Sequence, residues 1–163
     1  MENRKWAATI LACGLILAAC ARIRAQEKKA SERMMAKGAF DVKLAPLETA
    51  HKEEKAIARY SLDKVYHGDL DATATGEMLA TMGTVKGSGT YVAMEIVSGA
   101  LVGKKGTFAL AHRGTQAHGE QNLSIDVVPD SGTGDLAGIS GQLKIIVAAD
   151  GKHSYEFEYE IHK

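Results

Sequence analysis

From Gly38 onward the hydrophobic positions recur at every second residue. Phe40, Val42 and Leu44 alternate with Asp41 and Lys43 up to Pro46, and Tyr155, Phe157, Tyr159 and Ile161 alternate with Ser154, Glu156, Glu158 and Glu160. Successive side chains of a strand point to opposite faces, so each stretch predicts a strand with one apolar and one solvated face. Further candidate strands span 57–66, 72–81, 90–98, 106–113, 122–128 and 141–149. Clusters of Gly, Asp, Ser, Thr and Pro separate most of them, among them His67-Gly68-Asp69, Gly99 to Gly106 and Pro129 to Gly134. A short helical interruption is expected only at Glu48 to Lys55. About eight strands at hairpin spacing, with no strand–helix alternation, predict an all-β domain. Closing such a meander into a small antiparallel barrel removes its free edges.

The first residues follow another pattern. Arg4 and Lys5 precede an uncharged, mostly apolar run over 6–20, whose apolar residues lie all round rather than on one face. A spanning helix needs about 20 such residues, so the run suits a signal peptide better than a permanent anchor. Leu17-Ala18-Ala19-Cys20 resembles a bacterial lipobox, which makes Cys20 the candidate lipidation site and 1–19 the signal peptide. Ordinary cleavage after Ala25 is the alternative, although Ile23 and Arg24 fit it poorly. Residues 20–37 then read as a charged tether and 38–163 as the barrel domain. The expected location is the cell envelope or periplasm, lipid-anchored if Cys20 is modified and soluble if it is not.

Composition sharpens this division. The 163-residue chain balances 20 Lys and Arg against 20 Asp and Glu, but the charges are unevenly placed. Residues 1–37 hold 8 basic and 3 acidic side chains, and the remainder holds 12 and 17. A mildly acidic body argues against nucleic acid as a partner. Both cysteines, Cys13 and Cys20, fall in the leader. The body therefore has no thiol for a disulfide, a cysteine zinc site or a cysteine nucleophile.

Local motifs for chemistry are sparse. Gly132, Gly134 and Ala137 satisfy the dinucleotide pattern G-x-G-x-x-A, but strand rather than helix is expected after them, so no phosphate site forms. Asp130 and Asp135 match no calcium loop, and the stretch is expected to be a glycine-rich turn with bulges. The six His are scattered with no metal-binding spacing, and neither metal nor cofactor is expected. His112 shares a strand face with Phe108 and Leu110, either as a structural histidine or as a functional group facing the interior. Glu95 lies in Tyr91-Val92-Ala93-Met94-Glu95-Ile96-Val97. Facing outward it is an ordinary surface carboxylate. Facing inward it needs a partner such as His112 and becomes a candidate acid or base. Glu95 and His112 are thus the candidate catalytic pair, and Tyr91 and Tyr155 the candidate ligand contacts.

The body resembles an uncharacterised bacterial family, domain of unknown function 3224. The resemblance covers about residues 38–161. It is carried by Ala39-Phe40-Asp41-Val42-Lys43-Leu44, Leu62-Asp63-Lys64, His67-Gly68-Asp69-Leu70, Gly76-Glu77-Met78-Leu79, Gly87-Ser88, Tyr91 to Glu95, Gly106-Thr107-Phe108, His112, Val128 to Gly134, Leu136 to Gly141 and Lys152 to Tyr159. It implies an allene-oxide-cyclase-like barrel, similar also to plant dirigent proteins, which share a turn matched here by Gly132, Gly134, Leu136, Gly138 and Gly141. It implies no activity. Two readings follow: a non-catalytic barrel that binds a small apolar molecule or a protein partner, and an isomerase or cyclase acting on a small apolar substrate in the barrel. The partners left open are that ligand, a protein, a second copy of the chain, and the membrane through an anchor at Cys20.

Overall fold

In the computed structural model the described residues are 32–49 and 57–162. The leader, Cys20 and most of the expected helix at Glu48 to Lys55 lie outside them. Eight strands follow in order: β1 (Met34–Leu47), β2 (Ala58–Gly68), β3 (Leu70–Met82), β4 (Gly89–Leu101), β5 (Lys104–Ala117), β6 (Glu120–Val127), β7 (Ile139–Val147) and β8 (His153–Ile161). Each pairs antiparallel with the next, and β1 also pairs with β8, which closes the barrel.

The start of β1 departs from the sequence reading. The strand begins at Met34, inside the stretch read as tether. Its first half, Met34 to Phe40, pairs with β8, and its second half, Gly38 to Leu47, pairs with β2. The charges around it are used in the sheet: Arg33 reaches Glu158 and Glu160, and Lys37 reaches Glu156, at 2.7, 3.2 and 2.8 Å. These pairs are largely exposed and contribute little individually. The charged segment continues as strand because its backbone pairs with β8 from Met34 to Phe40.

The interior follows the period of two. On β8 Tyr155, Phe157 and Tyr159 are buried, while Glu156, Glu158 and Glu160 face outward. Phe157 stacks between Phe108 and Tyr159, with ring centroids 5.7 and 5.2 Å away. Tight turns at Val102-Gly103 and His118-Gly119 have positive φ at both residues, as two-residue hairpins on right-twisted strands require. The outer wall is less regular. Val92, Met94 and Ile96 on the outside of β4 remain more than half exposed.

The two ends of the barrel differ. At the end carrying the β2–β3 and β4–β5 turns, Leu70, Leu101, Leu136 and Ile139 are buried and close the interior. The glycine-rich stretch before β7 forms part of this closure, through a short 3-10 turn at Gly134–Leu136 rather than a bulged hairpin. It docks along β5 where β6 has ended. Thr133 N donates to Thr107 O, Thr107 N to Thr133 Oγ1, Ala109 N to Ser131 Oγ and Lys105 N to Asp135 Oδ2. Polar side chains thus replace a missing strand edge. The opposite end is open: the inward-facing Val42, Leu44, Met82, Leu123 and Val147 all remain exposed there.

Candidate functional site: an ionic layer beneath an open mouth

Between the packed end and the open end lies a layer of ionisable groups. The inward row of β2 reads Leu62, Lys64, Tyr66; that of β4 reads Tyr91, Ala93, Glu95, Val97; that of β5 reads Phe108, Leu110, His112, Gly114. Lys64, Glu95 and His112 are 5%, 1% and 6% exposed and are the buried charged or polar residues among those described. They converge on one oxygen. Glu95 Oε1 accepts from Tyr66 Oη at 2.8 Å, Lys64 Nζ at 3.0 Å and His112 Nε2 at 3.2 Å. An ionised carboxylate only accepts, so His112 carries its proton on Nε2 in this contact. Lys64 also donates to Tyr66 Oη at 3.2 Å, and its ammonium lies 5.2 Å from the Phe40 ring centre. The second carboxylate oxygen, Oε2, is buried without a hydrogen-bond partner.

The electrostatics follow from this geometry. Burial pushes the Glu95 carboxyl up, but the His112 hydrogen bond and the Lys64 charge outweigh it and hold the group below the ordinary carboxylate value. Burial dominates at Lys64 and lowers its pKa despite the Glu95 charge. Tyr66 is pushed far upward, first by burial and then by the neighbouring carboxylate, so it remains a phenol and a donor. Tyr91 is raised by burial and by the Glu95 charge, which places it within electrostatic reach of the layer.

Above the layer the mouth holds a cavity of about 240 Å³. Met78, Ala80 and Met82 on β3, Tyr91 on β4, Gly114 on β5 and Leu123 on β6 form its apolar wall, and Gln116, Gln121 and Asn122 lie at its polar rim. The Tyr91 ring lies across Gly114, where an added Cβ would come within 2.0 Å of a ring carbon. Neither Glu95 nor His112 lines this space. On the inward rows beneath it, Ala93 stands between Tyr91 and Glu95 on β4, Gly76, paired with Glu95, follows Met78 on β3, and His112 follows Gly114 on β5.

A second space of about 530 Å³ opens beside the mouth and shares Gln121 and Leu123 with it. It exists because β6 and β7 pair only at Asp126–Gln142, where Gln142 Nε2 also donates to Asp126 Oδ1 at 2.8 Å. Beyond that pair the strands separate toward the open end.

The structure thus brings Glu95 and His112 together and places Tyr91 on the mouth wall. Tyr155 belongs to the closed end. Its hydroxyl accepts from Leu70 N at 2.8 Å and donates to His67 O at 3.2 Å, and its ring meets Tyr66 edge-on. It is occupied in holding the chain and lines neither space. Lys64 and Tyr66 are missing from the sequence candidates. The signal was present in part: Lys64 falls on the apolar row between Leu62 and Tyr66, where an unpaired cation is costly.

A small closed barrel with a buried ionic layer under an open apolar mouth has a shape compatible with ligand binding. The chain belongs to the family described as protein of unknown function DUF3224, whose model matches residues 36–159. It is similar to a solved member of that family from Shewanella oneidensis MR-1, also of unknown function. The two are 40% identical, the match covers 81% of this chain and 99% of the other, and the TM-score is 0.76. Nothing among curated proteins matches.

Proposed function

We propose that the barrel binds a small, largely apolar molecule in its mouth. The observation that carries this reading is the arrangement of the inward rows at the open end. Met78, Ala80, Met82, Tyr91 and Leu123 face the interior yet enclose a cavity instead of packing together. Ligand pockets commonly measure about 300–1,000 Å³, so a space of about 240 Å³ suits a compact molecule. The flexible methionines let the wall adapt to its shape. 4-Butylphenol serves as a probe. At a hundredfold excess over its Kd it is expected to raise stability by about 2.7 kcal/mol, read as a higher melting temperature. Ala80→Phe fills the mouth and is expected to abolish the shift. The same shift in both proteins rejects the mouth as the site.

The contact between Glu95 and His112 favours a second reading, an isomerase or cyclase in which this pair moves a proton. It ranks below binding because both side chains lie beneath the cavity rather than on its surface.

We also propose that the barrel is exported and held at the cell envelope by lipid on Cys20. The basic start, the apolar run and Leu17-Ala18-Ala19-Cys20 support this reading. Cys20→Ala is expected to leave the precursor unprocessed or move the protein to the soluble periplasmic fraction. Unchanged mature mass and unchanged detergent partitioning in the variant contradict it.

A further inference from the structure

The outer wall of the barrel contains one uncharged strand. Outward along β4 come Thr90, Val92, Met94, Ile96, Ser98 and Ala100, whereas among the described residues every other strand places at least one charged side chain on that face. Val92, Met94 and Ile96 are 51%, 58% and 53% exposed, and Leu79, beside Val92 on β3, is 46% exposed. Single apolar residues on a surface are ordinary, but a contiguous row of them marks a contact face. β4 pairs along its whole length with both β3 and β5. The row therefore lies on a continuous wall and not at an edge that an added strand could extend.

The flanks of the row indicate what covers it. The outward face of β3 carries Asp71 and Glu77 and no base, and that of β5 carries Lys105 and Arg113 and no acid. Asp71 and Lys105 are level with each other on either side of Ala100, while Glu77 is level with Met94 and Arg113 with Val92. Glu77 is held by Arg59. Asp71, Lys105 and Arg113 have no ion pair among the described residues.

We propose that a second copy of the chain docks on this face, β4 against β4, about a twofold axis running along the strand. That rotation lays the uncharged row on its own copy and sets the acidic flank of each barrel over the basic flank of the other. Asp71 then meets the partner's Lys105, and Glu77 lies next to the partner's Arg113. A twofold contact uses the same patch on both copies, so a patch acidic on one side and basic on the other complements itself. Three strands over the 13 residues of β4 offer a footprint of about 600 Å² per copy. A total of about 1,200 Å² is at the lower limit for a specific interface, which makes the dimer reversible and concentration-dependent.

Cross-linking with a bis-maleimide in intact cells expressing the full chain tests this. The barrel has no cysteine of its own, so Met94→Cys puts a single barrel thiol on the axis. Two copies packed face to face hold that thiol against its equivalent across a gap of about 10 Å between sheets. Ile146→Cys puts an exposed thiol on the outside of β7 and keeps the same leader cysteines. Met94→Cys is expected to give a product of twice the chain mass, and Ile146→Cys is not. Adding Asp71→Lys to Met94→Cys is expected to lower the dimer about tenfold, because two exposed attractions become repulsions. Adding Lys105→Asp as well is expected to restore it, which a folding defect would not allow. A dimer yield no higher than that of Ile146→Cys overturns the proposal, as does a yield that the two reversals do not lower and then restore. A conjugate of another mass also overturns it and assigns the face to a different protein.

Discussion

Glu95→Ala is expected to destabilise the barrel by about 3–5 kcal/mol, read from the urea midpoint, because it leaves Lys64 buried without its counter-charge. Both side chains are almost wholly buried, the carboxylate at 0% and the ammonium at 3% side-chain exposure, so neither can turn to water without the wall opening. Removing both charges tests the cause. Lys64→Met combined with Glu95→Gln removes both charges, keeps an acceptor for Tyr66 and His112, and is expected to recover most of the loss, since no uncompensated buried charge remains. Equal losses in the single and double variants contradict a charge-based origin.

The pH dependence has a definite sign. The folded carboxyl of Glu95 lies below its ordinary value of 4.5, so the unfolded chain binds its proton first as the pH falls. The stability this group contributes is present above 4.5 and is lost as the pH drops toward the lower, folded value. The double variant is expected to show a shallower decline over that window.

Phe157→Ala is the second large effect, also about 3–5 kcal/mol. Phe157 is 0% exposed and its ring stacks with Phe108 and Tyr159, so truncation opens a cavity between two aromatic rings that cannot both move to fill it. Its neighbour Glu158 pairs with Arg33 at 2.7 Å on the outer surface, where both groups are substantially exposed. Glu158→Ala is expected to cost well under about 1 kcal/mol. Similar shifts in the two denaturation midpoints contradict the inward register of β8.

The alternation along 154–161 already orients this strand, because Tyr155, Phe157 and Tyr159 occupy one parity and glutamates the other. The same period places all eight strands and, with hairpin spacing, closure into a barrel. It is weakest where both faces are apolar. On β4, Val92, Met94 and Ile96 are as hydrophobic as the inward row, so periodicity alone leaves the direction of Glu95 open. At the start of β1 the opposite failure occurs: Arg33 and Lys37 resemble a solvated tether because their acidic partners lie more than a hundred residues away on β8.

Strand number, antiparallel order and the inward face of β8 were therefore set by local alternation and turn chemistry, which act within a few residues and can be read along the chain. The convergence of Lys64, Tyr66, Glu95 and His112 on a single oxygen was decided by tertiary structure, because they come from three strands whose relative stagger is fixed only when the barrel closes. The same holds for the open mouth and the split between β6 and β7. Each depends on which inward residues fall level with one another around the ring, a property of registers between strands.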